Sequence, residues 1–533
     1  MLRALDRDEP WDILIIGGGA TGLGCAVDAA ARGYATLLLE QADFGKGTSS
    51  RSTKLVHGGV RYLQQGNVAL VMEALRERGI LRRNAPHLVR DLPFVVPNYD
   101  WWEMPFYGIG LKVYDVLAGR YGFGGSKVLS RQETVAAIPT IETEGLRGGV
   151  RYHDGQFDDA RLAVNLAQTA AERGAVLLNG FRVRGLIHEG GGVGGIVAGV
   201  EAEDAETGRQ HSIRAKAVVN ATGPFTDAVR RMDDPGVRPM IRPSQGVHVV
   251  LPREFLPADH AIMVPRTSDG RVLFAIPWHN RVVVGTTDTP IEETPLEPRA
   301  FDHEIDFILS TARAYLERDP AESDVLSVFV GIRPLVAAVD PSEPGRGPAG
   351  SGGGGDQGAG KTSAISRDHT LHIAASGLIT IAGGKWTTYR KMAQDVVDQA
   401  AELADLPEVD CPTKSLMIHG AAEHAGEDDP LWFYGSDAPA VRAMEGAPGL
   451  GERLHPRLEL TAGQVVWACR REMARTVDDV LARRTRSLLL DARAALEAAP
   501  RVAELMAKEL GRGAAWAEGQ VADFAAIAAV HTL

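Results

Sequence analysis

Cysteine is scarce in this chain. There are three in 533 residues, Cys25, Cys411 and Cys469, widely spaced and odd in number. That excludes a disulfide framework and a cysteine-based zinc site, and suits a reducing compartment such as the cytosol. A basic excess is also missing. The 57 Lys and Arg face 69 Asp and Glu, for a net charge of −12, which argues against a general nucleic-acid binder but allows a local cationic pocket. No run approaches the ~20 apolar residues of a membrane span. The short run Ile13–Ile16 leads straight into glycines, so the first residues do not read as a signal peptide. The expectation is a soluble or peripherally bound chain. Its bulk composition, 44% hydrophobic and 24% charged, excludes a disordered or fibrous protein and allows a sizeable core.

Glycine is what the chain has in excess, 60 residues. Nine lie in the low-complexity segment 340–361, read as a flexible surface insertion, and five in Gly190–Gly195, read as a hairpin turn. Gly360-Lys361-Thr362 resembles a phosphate loop only superficially, because no hydrophobic anchor or following helix supports it. The informative glycines lie elsewhere. Trp11–Ile16 reads as a buried strand, the run after Gly17–Gly24 as an alanine-rich helix ending at Gly33, and residues 35–40 as a second strand. Within this βαβ unit, Gly17-x-Gly19-x-x-Gly22 supplies a tight turn, a close backbone approach for a pyrophosphate, and close helix–strand packing. The helix N-terminus then presents N–H groups and partial positive charge to the phosphates. Glu40 ends the second strand, 18 residues after Gly22, where it can accept hydrogen bonds from adenosine ribose hydroxyls and disfavour a 2′-phosphate. FAD or NAD therefore fits better than NADP.

Three later segments favour FAD. Thr48-Ser49-Ser50-Arg51-Ser52-Thr53-Lys54-Leu55, followed by His57-Gly58-Gly59, is a hydroxyl-rich loop suited to pyrophosphate and ribityl contacts. Asn220-Ala221-Thr222-Gly223-Pro224 puts small residues at a strand end, where backbone can approach a nucleotide. Gly383-Gly384-Lys385 precedes a helix whose N-terminus could face a flavin carbonyl. Helical periodicity also marks 68–83, 160–173 and the run after LITIAGG, and 420–533 reads as a mostly helical, alanine-rich domain.

The ordered segments GGGATGLG, TSSRSTKLVHGGVRY, FDDARL, VVNATGPFTD, QGVH, VVVGTTD, GIRPL, SRDH and GGKWTTYRKMA resemble the FAD-dependent (aerobic) glycerol-3-phosphate dehydrogenase family. The resemblance runs from about residue 10 to 405 and continues more loosely through GQVVWACRREMARTVDDVLARRTR. It implies an α/β fold with a Rossmann-like FAD-binding domain of the glycine-oxidase-like flavoprotein type, an antiparallel-sheet substrate domain and a C-terminal α-helical domain. The FAD-binding parts are expected at about 10–95, 150–240 and 370–405. Substrate or cap parts are expected at about 96–149 and 241–369, and the helical domain at 406–533.

The implied activity is oxidation of sn-glycerol 3-phosphate to dihydroxyacetone phosphate with electrons passed to membrane quinone. No metal, no nucleic acid and a possible homodimer belong to the same picture. The implied FAD contacts are Gly17, Gly18, Gly19, Thr21, Gly22, Glu40, Thr48, Ser49, Ser50, Lys54, Leu55, His57, Gly58, Val183, Ala221, Gly223, Gly383, Gly384 and Lys385.

The substrate is a phosphate dianion with a secondary alcohol, so its site needs fixed cations and a proton acceptor. Arg61 and Tyr62 follow the HGG turn, Arg333 lies in GIRPL, Arg367 in SRDH and Lys385 at the third glycine pair. Arginine suits bidentate recognition of an oxyanion, and lysine acts as a point charge. His248 is the preferred general base, with a purely hydrogen-bonding histidine as the alternative and Arg333 as a rival for the proton work. His57 reads as an orienting residue of the flavin loop.

Other readings stay open at this point. An oxidase on the same substrate would pass electrons to oxygen and release peroxide. A related flavoprotein could act on a 2-hydroxy acid or amine, and an FAD-binding scaffold or sensor would have no turnover. Aromatics make up only 6% of the chain, yet Trp101, Trp102, Phe106, Tyr107 and Tyr114 cluster near Lys112 and Arg120. That suits a membrane interface, or else a buried core or dimer contact. The expected location is cytoplasmic, peripheral on the inner face of the cell membrane.

Overall fold

In the structure, a computed structural model, residues 1–59, 67–190, 194–265, 267, 270–337, 369–426 and 428–533 are described. The expected insertion at 340–361 lies outside them, as do Arg61, Tyr62 and Arg367.

The chain opens on strand β1 (Trp11–Ile16), helix α1 (Ala20–Ala31) and strand β2 (Thr36–Glu40). Apart from Asp12 near its start, β1 is apolar and buried because both its faces are covered, as parallel strands require. It pairs in parallel with β2 on one side and with Gln210–Asn220 on the other. Ile379–Gly383 and Val176–Asn179 extend this parallel core outward, and His369–Ile373 closes one edge antiparallel. The hairpin Phe181–Glu189 and Ile196–Asp204 joins through Gln210–Asn220. α1 packs against the helix Tyr389–Leu403, and its small residues are needed there: a Cβ on Gly24 would lie 2.9 Å from Tyr389 Cδ2.

A second, ten-stranded sheet carries the substrate side. It is antiparallel except where Ala261–Val264 runs parallel to Val89–Asn98. Val89–Asn98 and Gly148–Phe157, at the borders assigned to the FAD parts, are strands of this sheet. Ile241–Pro252 is paired along its length with Ser327–Val336, which sets His248 opposite Phe329 and Ser244 opposite Arg333.

The C-terminal region has its own core, built from the helices Ala462–Arg471, Ala492–Leu510 and Ala514–Ala528. Among the described residues, no helix is long and apolar enough to cross a membrane, and no cluster of three or more His, Cys, Asp or Glu is arranged to hold a metal.

Candidate active site

A cavity of about 730 Å³ runs between the two sheets. Its wall includes Gly17, Gly19, Thr21, Glu40, Thr48, Ser49, Leu55, His57, Val183, Ala221, Gly223, Gly383, Gly384 and Lys385 from the expected cofactor set. The opening of α1 has the geometry of a diphosphate cradle. Gly17 has φ +110°, and a Cβ on it would sit 2.7 Å from the Ala221 carbonyl oxygen. A Cβ on Gly22 would sit 1.9 Å from the Gly17 carbonyl oxygen. The N-cap Gly19 brings no side chain to the helix end, so the N-terminus of α1 faces the cavity as bare backbone.

Glu40 is anchored from below by the N–H groups of Gly18 (2.7 Å) and Ala42 (2.9 Å). Those bonds fix its carboxylate at the wall and leave further lone pairs for ribose hydroxyls. Burial pushes its pKa up, against the pull of the two N–H groups. The remaining surroundings fit FAD as well. Ser49 accepts from Ala20 N–H (2.9 Å) and its carbonyl accepts from Trp386 Nε1 (2.8 Å), so the hydroxyl loop and the Gly383–Lys385 turn are joined.

Five of the expected cofactor residues are not among those lining the cavity. Gly18 and Gly22 act beneath the wall, through packing and the bond to Glu40. Gly58 and Ser50 lie behind the cavity. Gly58 N–H donates to Tyr114 Oη (2.8 Å), and a Cβ there would strike the same oxygen. Lys54 is not a cofactor ligand through its side chain. Its ammonium is fully buried, donates to Ser50 O (2.7 Å), and pairs with both carboxylate oxygens of Asp159 (2.8 and 2.9 Å). This pair pins the loop that carries Thr53 and Leu55 onto the wall.

On the substrate side the strand register brings His248 and Arg333 to the same cavity. The His248 ring stacks on Phe329 at 4.7 Å, and its Nε2 lies 2.9 Å from Thr53 Oγ1. Burial, then the charges of Arg333 and Lys54, hold its pKa well below the usual histidine value, so it is neutral near pH 7. Arg333 donates to Thr287 O (2.9 Å) and pairs with Asp288 at 3.2 Å, with Thr286 Oγ1 also at 3.2 Å. A Cβ on Gly246 would strike that guanidinium, so the glycine makes room for it.

Sequence reasoning missed several wall residues. Thr53, Arg271 and the Thr286-Thr287-Asp288 turn are among them, as is an apolar arm that includes Phe94, Tyr107, Tyr152 and Met263. The turn was visible within VVVGTTD. The apolar arm comes from separate strands and, with Tyr107, from the helix Glu103–Ala118, and carries no local signal.

Two family descriptions match the chain. Residues 12–390 match "FAD dependent oxidoreductase", and residues 379–517 match "C-terminal domain of alpha-glycerophosphate oxidase". The mitochondrial glycerol-3-phosphate dehydrogenase of Mus musculus is 40% identical, over 97% of this chain and 72% of that one. An Arabidopsis thaliana mitochondrial glycerol-3-phosphate dehydrogenase is 41% identical, over 95% and 84%. The chain belongs to the FAD-dependent glycerol-3-phosphate dehydrogenase family. A member from Bacillus halodurans, solved in complex with FAD, matches with a TM-score of 0.76 at 30% identity, covering 98% of this chain and 95% of that chain. Glycine oxidase from Geobacillus kaustophilus shares the fold at a TM-score of 0.52 and 19% identity, over 76% of this chain and 98% of that one. This family member is an FAD-dependent oxidoreductase, and the expected cofactor and fold class stand.

The aromatic run 101–114 divides in the structure. Trp101, Trp102 and Phe106 are exposed, Trp101 by 77%, and Ile109, Val113 and Val116 continue this face along the helix Glu103–Ala118. Tyr107 and Tyr114 point inward. Tyr107 lines the cavity, which removes it from the expected membrane-contact set. Tyr114 donates to Asp154 (2.8 Å).

Proposed function

We propose that this chain oxidises sn-glycerol 3-phosphate to dihydroxyacetone phosphate and passes the electrons to a membrane quinone. The observation that carries the reading is a neutral His248 and a fixed Arg333 on the wall of the cavity that also contains the diphosphate cradle. Bound FAD supplies the two-electron acceptor. The cations Arg333, Lys385 and Arg271 line the cavity and suit a phosphate dianion. His248 receives the C2 hydroxyl proton at Nε2, beside Thr53, and Arg333 stabilises the developing oxyanion. Low basicity is the cost of a buried imidazole, and the adjacent guanidinium offsets it by lowering the pKa of the alcohol.

We also propose peripheral membrane contact on the cytoplasmic side, and the exposed apolar face of the helix Glu103–Ala118 supports the contact itself. Its apolar residues border a groove with Val128, and Lys112 and Lys127 stand beside it for anionic headgroups. A second reading, oxygen as acceptor, draws on the C-terminal match to the alpha-glycerophosphate oxidase domain. One anaerobic experiment tests both. Adding sn-glycerol 3-phosphate should bleach the flavin absorbance, and a quinone analogue should restore it. No bleaching rejects the substrate, while reoxidation by oxygen with peroxide at the turnover rate selects the oxidase.

A further inference from the structure

Among the described residues none beyond Thr387 lines the cavity, yet the C-terminal domain grips the loop that does. From outside, Arg483 Nε donates to Asp43 (2.5 Å), and Arg484 donates to both carboxylate oxygens of Asp43. Lys46 Nζ donates to Asp478 (2.7 Å) and lies 3.0 Å from Glu297. Arg483 in turn bridges Asp478 and Asp479, each at 2.8 Å, and Arg51 donates to Glu297 at 2.5 Å. From inside, the same loop meets the glycine turn. Gly45 N–H donates to Gly18 O (2.9 Å), and Ser49 accepts from Ala20. Lys46, Gly47, Thr48, Ser49 and Arg51 all line the cavity.

The charges balance, with Lys46, Arg51, Arg483 and Arg484 against Asp43, Glu297, Asp478 and Asp479. Most of these groups are nearly inaccessible to solvent, so an unpaired one would be expensive and would move toward the nearest water. For Lys46 and Arg51 that water is the cofactor cavity.

We infer that the C-terminal domain positions the FAD-binding loop 43–51 through Asp478 on Lys46 and Arg483–Arg484 on Asp43, so that FAD affinity depends on residues that do not line its cavity. Asp478, Arg483 and Arg484 are positioning residues, and the inference rests on the FAD site described above. A purely scaffolding contact would lower stability and leave FAD affinity unchanged.

The test uses the full chain, stripped of flavin and titrated with FAD by fluorescence quenching. Asp478→Asn should raise the FAD dissociation constant about tenfold, the equivalent of one charge-assisted hydrogen bond. It should also narrow the gap between holo and apo melting temperatures. Glu77→Gln, at the similarly buried Arg390–Glu77 pair away from the clamp, should lower both melting temperatures together and leave FAD affinity unchanged. Should Asp478→Asn not fold, Arg484→Lys weakens the grip on Asp43 from the same domain at a residue off the cavity wall and is read in the same way. An unchanged FAD affinity in the folded variant overturns the inference. Failure of the unmutated chain to bind FAD overturns the site assignment itself and this inference with it.

Discussion

In a Gly22→Ala variant the new methyl would stand 1.9 Å from the Gly17 carbonyl oxygen and 3.1 Å from its carbon. Both are backbone atoms, so no side-chain rotation relieves the contact. The start of α1 must retreat from β1 by roughly 1 Å before the contact becomes tolerable. That retreat moves the N–H groups that face the cavity. Hydrogen bonds weaken steeply with such displacement, and bonds to charged groups are worth about 1.5–3 kcal/mol each. Losing one to the FAD diphosphate lowers affinity about 10- to 150-fold. The overpacking costs about 1–3 kcal/mol of stability in addition.

Gly33→Ala is the matched control. Gly33 has φ +90° at the end of the same helix, but nothing lies within 4 Å of its Cβ position. It should cost about 1–2 kcal/mol through backbone strain alone and leave FAD binding intact. The assay is FAD titration of each apoprotein, with thermal unfolding alongside. A Gly22→Ala protein that binds FAD as tightly as the unmutated chain, or a Gly33→Ala protein that loses it equally, would refute the cradle argument.

Four further outcomes follow from the same geometry. His248→Asn should lower kcat about 10²- to 10⁴-fold with a much smaller change in substrate binding, measured by stopped-flow flavin reduction. Because the folded-state pKa of His248 lies below its unfolded value, the unfolded chain binds the extra proton as pH falls below about 6.5. Its contribution to stability is thus full above that pH and is lost on acidification. Denaturant unfolding between pH 5 and 8 should show this acid-side loss shrink in His248→Asn, and an unchanged difference would count against the burial argument. Lys54→Met leaves Asp159 buried without its cation and should cost about 3–5 kcal/mol in denaturant unfolding. The double variant Trp101→Ala, Trp102→Ala should reduce co-sedimentation with anionic liposomes while steady-state oxidation with a soluble acceptor stays unchanged; undiminished binding removes this helix from the membrane reading.

The cofactor side of the fold was legible because its determinants are local. Strand, glycine turn, helix, second strand and Glu40 fall within thirty residues, and Gly22 is required by the approach of the Gly17 backbone within the same turn. Lys54 shows the complementary limit. A lysine in a hydroxyl-rich loop looks like a phosphate ligand until Asp159, 105 residues away, is seen to claim it. The clamp on Asp43 and Lys46 is equally invisible, since its partners lie more than 430 positions downstream. Composition cannot pair charges across such separations.

The aromatic run 101–114 shows the same limit on one helix. Composition marks the cluster, but its function depends on which side of the helix each ring occupies. Tyr107 and Tyr114 are seven residues apart, two turns, and therefore share a face, together with Leu111 between them. That face covers the apolar arm of the cavity and the buried Arg78–Asp154 pair. Phe106, Ile109, Val113 and Val116 fall on the other side at steps of three and four, and this spacing already separates them from the tyrosines. What the spacing cannot supply is direction. Both faces are apolar, so amphipathicity gives no preference, and only the strands beneath determine which one is covered. Tyr114 settles it, because its hydroxyl has a buried carboxylate to meet and none of the outer residues has a polar atom to satisfy. The helix therefore places a cavity wall and an exposed apolar face back to back, a single helix thickness apart.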